Sequence, residues 1–101
     1  MIIRIWQGWT KPENADAYEK LLKTRIWPEI RAKGIPGLLR IELFRLETPN
    51  ETEFMTLFRF DNMDSVRLMT GGAAETAYVP ECARLVLSRF DHTARHFQTT
   101  G

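Results

Sequence analysis

The chain has 101 residues, enough for one domain that buries roughly 60 to 70% of the surface its unfolded form exposes. Hydrophobic residues make up 44% and charged residues 27%, which excludes a disordered or low-complexity chain and predicts a single folded domain over 1–101. Fourteen Lys and Arg against thirteen Asp and Glu leave a formal charge of +1, too small a basic excess for a nucleic-acid partner.

No apolar run reaches the length of a membrane span or a signal h-region, so a soluble cytoplasmic protein with no membrane partner is expected. Cys82 is the single cysteine. It allows no internal disulfide, and Cys-x-x-Cys or Cys/His zinc spacings are absent.

Residues 2–9, IIRIWQGW, are rich in β-branched and aromatic types and predict a first strand. Ile3, Ile5, Gln7 and Trp9 share one side, and Ile2, Arg4, Trp6 and Gly8 the other. Thr10-Lys11-Pro12-Glu13 then carries a Thr-x-x-Glu capping signature with proline in the first turn. In the helix that follows, Tyr18, Leu22, Ile26 and Ile30 recur every four residues, and the pattern runs to about Lys33 and stops at Gly34. Pro28 within it removes a backbone bond and predicts a kink near Arg25.

Ile35-Pro36-Gly37 is turn chemistry, and residues 38–46, 48–52 and 53–61 read as strand, turn and strand. In the first strand Leu39, Ile41 and Leu43 form one apolar face, while Leu38, Phe44 and Leu46 surround Arg40 and Glu42 on the other. In the second, Phe54, Phe58 and Phe60 oppose Met55, Leu57 and Arg59. Asn62-Met63-Asp64-Ser65 caps a short helix that ends at Gly71-Gly72. Pro80-Glu81 opens another helical stretch to about Ser88, with Cys82, Leu85 and Val86 at core spacing, and a strand over 93–99 closes the chain.

This order predicts an α+β fold, the ferredoxin-like βαββαβ arrangement with an antiparallel four-stranded sheet. Its helices cover one sheet face. Leaving several Leu, Ile and Phe side chains wet on the other forfeits several kcal/mol at about 25 cal/mol per Å², so a homodimer with two sheets packed face to face is expected.

Several passages carry a family resemblance: Thr-Lys-Pro-Glu followed by Tyr-Glu-x-Leu-Leu, Ile-Pro-Gly-Leu entering the second strand, Phe-Arg-Phe-Asp-Asn-Met-Asp-Ser entering the second helix, and Val-Pro-Glu with Arg-His-Phe near the end. Together they resemble the antibiotic biosynthesis monooxygenase family of dimeric α+β barrel proteins. The resemblance implies a dimeric barrel and one of two chemistries, cofactor-free oxidation of polycyclic phenols and quinols or haem degradation. Haem-degrading members carry an asparagine in the first strand and a tryptophan and histidine in and after the second helix. Here the strand has no asparagine, and Met69 and Tyr78 or Val79 stand near the other two positions, which disfavours that chemistry. For the quinol-forming oxygenases, with tryptophan and asparagine on the second helix and a tyrosine or arginine nearby, the counterparts are Asn62 and Tyr78.

The stretch RFDHTARHF, 89–97, holds both histidines. On an extended strand, four residues separate His92 from His96 by roughly 13 Å, too far for two ligands each about 2.0 to 2.1 Å from one zinc, so no metal site is expected. His96 is either a hydrogen-bonded strand residue or the acid/base of the site, its ordinary pKa of about 6.5 suiting the second role. Trp6 and Trp27 either fill the core or wall a pocket for a flat substrate. Tyr78 either caps a helix end or orients that substrate. The expected function is cofactor-independent monooxygenation of a small phenolic or quinol-like metabolite, with His96 and Tyr78 in the catalytic roles and Trp6, Trp27 and Asn62 binding substrate. The alternatives are a non-catalytic small-molecule-binding or structural dimer, and a small-metabolite isomerase.

Overall fold

The computed structural model describes residues 1–101. Strand β1 (Ile2–Thr10) leads through a 3-10 turn (Pro12–Asn14) into helix α1 (Ala15–Leu21), a π-helical turn (Leu22–Ile26) and α2 (Trp27–Ala32). Strands β2 (Leu38–Glu47) and β3 (Thr52–Phe60) form a hairpin, followed by α3 (Met63–Thr70) and α4 (Glu81–Arg84). Short strands β4 (Arg89–Phe90) and β5 (Arg95–Gln98) end the chain. The sheet is antiparallel in the order β2-β3-β1-β4, with β5 pairing β1 on the same side as β4. This is the ferredoxin-like arrangement expected from the element order. No helix is long and apolar enough to cross a membrane.

The π-helical turn follows from the sequence. Pro28 has no N–H for the carbonyl four residues back, so the preceding turn loosens, and Trp27 N–H reaches five residues back to the Leu22 carbonyl. A stripe repeating every four residues drifts by about 40° per step around a regular helix of 3.6 residues per turn. The wider π turn absorbs that drift. Tyr18, Leu22, Ile26 and Ile30 are therefore all buried, at 1, 4, 6 and 6% exposure.

The helices lie on the sheet face that carries Arg4, Trp6, Ile41, Phe54, Phe58 and Phe60, and the main apolar cluster forms between the two layers. The opposite face carries Ile5, Trp9, Phe44, Met55, Leu57 and Phe97 and is covered by no element of the chain. Phe44 is 47% and Phe97 43% exposed there. Arg40 and Glu42 also share this face, their groups 3.5 Å apart, and Arg59 donates to Glu42 at 3.0 Å.

Four local expectations are corrected. Thr10 does not cap the helix: β1 extends to pair it with Thr52, and its buried hydroxyl has no partner. Lys11 is the N-cap, without a side-chain bond, and Pro12 opens the 3-10 turn. A β-bulge between Leu38 and Arg40 turns Leu38 toward Phe60 and leaves Leu39 54% exposed instead of on the Ile41 face. The bulge follows Gly37, whose φ of 84° suits glycine and whose missing Cβ makes room for the Asp61 carboxylate and the Ser65 hydroxyl.

Leu85 is 80% exposed, because the short α4 turns Ala83 and Leu87 inward. The final strand is split. Asp91 still bonds to the Gln7 carbonyl of β1 at 3.0 Å, but residues 92–94 leave that strand and pair with the 75–77 segment through Ala77 N–H to the His92 carbonyl (3.0 Å) and Ala94 N–H to the Glu75 carbonyl (2.9 Å).

Candidate functional site

A cavity of about 500 Å³ lies between the sheet and the helical layer, within the range of roughly 300 to 1,000 Å³ typical of small-molecule sites. Its floor is made by Arg4 and Trp6 of β1 with Thr56 and Phe58 of β3. The buried stripe of the first helix and Trp27 form one wall, and residues between 68 and 83 form the other. Fourteen of its twenty-one lining residues are hydrophobic, so a polar group among them is isolated from water and its electrostatics are strengthened.

Arg4 is that group. It is 6% exposed, and no carboxylate lies within ion-pair distance of it. Its Nη1 donates to the Ala74 carbonyl and contacts His96 Nε2 at 2.9 Å, while Nη2 donates to the Thr76 carbonyl at 3.1 Å. Nε–H and one Nη2 hydrogen have no protein acceptor. Burial pushes its pKa down to about 10, which still leaves a full cation at neutral pH.

His96 pairs with Arg4 across the β1–β5 ladder and stands behind it, outside the cavity lining. Burial first, then the Arg4 charge, hold its imidazole below the ordinary value, and Glu75 offsets part of this. The ring is therefore neutral at neutral pH and accepts the Arg4 proton at Nε2. Because the unfolded chain binds the extra proton more readily, stability from this pair is fully present above the unfolded pKa of about 6.5 and declines as pH falls below it. His96→Gln, which keeps an acceptor without a titrating ring, is expected to flatten the melting-temperature slope between about pH 7 and 5. An unchanged slope would count against the pairing.

Trp6 is fixed by its indole N–H, which donates to the Asp91 carbonyl at 2.6 Å. Its ring lies across Gly8, where an added Cβ would come within 2.7 Å of it. Trp9 faces the opposite side of the sheet. Tyr18, 1% exposed, packs edge-on against Phe54 with ring centroids 4.9 Å apart. Burial, with Cys82 beside it, raises its phenol above the ordinary value, so it remains a proton donor. At the mouth, Tyr78 is 60% exposed and the Lys33 ammonium sits 5.5 Å from its ring centroid.

Of the residues singled out from sequence, Trp6, Trp27 and Tyr78 are thus brought to one cavity. His96 reaches it only through Arg4. Asn62 stands outside it at the N-cap of α3, where its side chain accepts the Ser65 N–H at 3.1 Å. His92 supports the cavity rim with its backbone carbonyl, and its ring packs on Phe90 at 5.0 Å. No three metal-ligating side chains converge anywhere in the fold.

Sequence reasoning passed over Arg4 and Tyr18. A lone charge between Ile2 and Trp6 on one strand face was a usable signal. Tyr18 offered none, since it continues an apolar helical stripe.

No protein-family model matches the chain, and no curated protein matches it. Solved structures do share its fold. A monooxygenase from the gene ActVA-Orf6 of Streptomyces coelicolor, crystallised in complex with the ligand nanaomycin D, aligns over 99% of this chain and 88% of its own, with a TM-score of 0.61 and 14% identity. A protein of Chloroflexus aurantiacus J-10-fl described as a "putative Antibiotic biosynthesis monooxygenase" covers 99% of this chain and 93% of its own, with a TM-score of 0.49 and 16% identity. The fold expected from the family resemblance is therefore met by a solved structure over nearly the whole chain.

Proposed function

We propose that the chain is a monooxygenase whose cavity binds a flat phenolic or quinol-like molecule and oxidises it with dioxygen, without a tightly bound cofactor. The observation that carries this reading is Arg4, a buried guanidinium with no carboxylate partner and two free donor hydrogens, set in an aromatic-walled cavity. A phenol or enol placed against it ionises more readily, because the anion gains a charge-assisted hydrogen bond where water is scarce. Electron-rich anions of this kind react with oxygen directly. For an anthrone, the ring CH2 becomes C=O; one oxygen atom enters the carbon, and the other leaves as water with the two hydrogens, so no external reductant is needed.

The remaining residues divide the work. Trp6 and Trp27 stack on the substrate, Tyr78 orients it at the mouth, and His96 holds Arg4 in place, its Nε2 lone pair already engaged. The monooxygenase that shares this fold was solved with a small-molecule ligand, which supports the reading. Oxygen-electrode assays with naphthols and anthrones test it, with uptake above the buffer rate as the expected result. Binding without uptake would reassign the cavity to a carrier, and turnover without oxygen to an isomerase.

We also infer that a second copy of the chain covers the bare sheet face, since burying Phe44, Leu57 and Phe97 there recovers about 1.5 to 3 kcal/mol for each side chain. Leu57→Asp, at the middle of that face, is expected to sediment as a monomer and melt at lower temperature. Wild-type protein that is monomeric at micromolar concentration would sink the dimer.

A further inference from the structure

The charge balance inside the cavity is one-sided. The chain carries thirteen Asp and Glu against fourteen Lys and Arg, yet the only charged residues lining the cavity are Arg4 and Lys33. They occupy different depths: Arg4 is buried on the sheet floor, and Lys33 is exposed at the end of α2. Lys33 lies over the Tyr78 ring and forms no ion pair with any Asp or Glu. Tyr18 adds a donor. Its hydroxyl, on a residue that lines the cavity, can donate to a ligand there, as buried tyrosines usually donate to a partner.

The geometry points to a substrate that is an aromatic hydroxy acid, with its phenolic oxygen at Arg4 and Tyr18 and a carboxylate at the far end of the ring system, held by Lys33 at the mouth. This rests on the monooxygenase reading and deepens it by adding a second anionic group to the substrate. The physical basis is that two cations with no lining carboxylate favour an anion at both ends of the ligand and penalise a neutral or cationic tail. Trp6 on the floor and Trp27 on the wall of the cavity supply aromatic surface for the apolar ring between the two charges. The tail contact is solvent-accessible, so it contributes selectivity more than affinity, by a factor of up to about five.

The test compares 6-hydroxy-2-naphthoate with its neutral isostere 6-hydroxy-2-naphthamide, each titrated against the full chain by quenching of tryptophan fluorescence. The carboxylate is expected to bind at least about threefold more tightly, with the preference shrinking in added salt and lost in Lys33→Gln. Equal affinities, no binding of either compound, or a preference that survives Lys33→Gln overturns the proposal. Lys33 is exposed, so its variant folds, and a Lys33→Arg variant should retain the preference. Oxygen uptake is read separately with 2-naphthol and anthrone, which lack the carboxylate. Uptake without carboxylate preference defeats this inference alone, and carboxylate preference without uptake defeats only the oxidation.

Discussion

Arg4→Met is expected to lower kcat/KM for a phenolic substrate by about 10²-fold or more, the loss seen when one preorganised charge-stabilising donor is removed. The melting temperature should change far less. Methionine fills a comparable length of apolar space and relieves the desolvation of a buried unpaired cation, against the loss of donors to the Ala74 and Thr76 carbonyls. A residue kept for stability behaves in the opposite way, so the comparison of rate with melt decides the point. Arg4→Lys should not restore activity. A lysine ammonium has three donors and no planar fork, so it cannot hold both carbonyls and His96 while still presenting hydrogens to a ligand. A variant that melts much earlier yet turns over normally when folded would make Arg4 a structural residue.

Phe54→Ala is expected to cost about 3 to 5 kcal/mol of stability, as for large aromatic deletions in well-packed cores. That corresponds to a fall in melting temperature of about 12 °C or more for a domain of this size. Phe54 is fully buried, its ring supports Tyr18 edge-on, and the Arg45 guanidinium lies 5.6 Å from its centroid. Arg45 is in turn held by Asp16 at 2.8 Å and Glu19 at 3.2 Å, tying β2 to α1. Removing the ring therefore loosens the contact between helix and sheet and lets Tyr18 tilt within the cavity. Phe54→Leu, which leaves a smaller void, should recover most of the loss. A melting shift under about 4 °C for the alanine variant would mean the neighbours collapse into the space.

Much of the architecture could be read along the chain because its patterns are local. The four-residue stripe from Tyr18 to Ile30 defined the first helix, and Pro28 foretold its irregular turn. The alternation expected over 53–61, with Phe54, Phe58 and Phe60 opposite Met55, Leu57 and Arg59, matches the observed burial through Phe60, and the strand itself spans Thr52–Phe60. Asn62 and Gly71 marked both ends of α3 correctly. Errors gathered where a distant segment overrode a local signal. Thr10 looked like a cap but is held in the ladder by Thr52, and the strand expected over 93–99 pairs with β1 only at Arg95–Gln98, because His92 and Ala94 satisfy the backbone of the 75–77 segment instead.

The site divides along the same line. Residue order and hydrophobic period alone determined the fold class and the two-sided apolar sheet, because those properties depend on neighbours a few positions away; Trp6 and Trp27 were candidates by their aromatic type, and Tyr78 by its place before Pro80 together with the family resemblance. Only the tertiary structure decided that His96 stands behind Arg4, that Asn62 is a cap outside the cavity, and that Arg4 has no carboxylate partner. Those facts depend on contacts between residues some seventy to ninety positions apart, from Arg4 to Ala74 and to His96. Spacing along the chain carries no information about such pairs until strand pairing brings β5 beside β1 and packing removes the water between them.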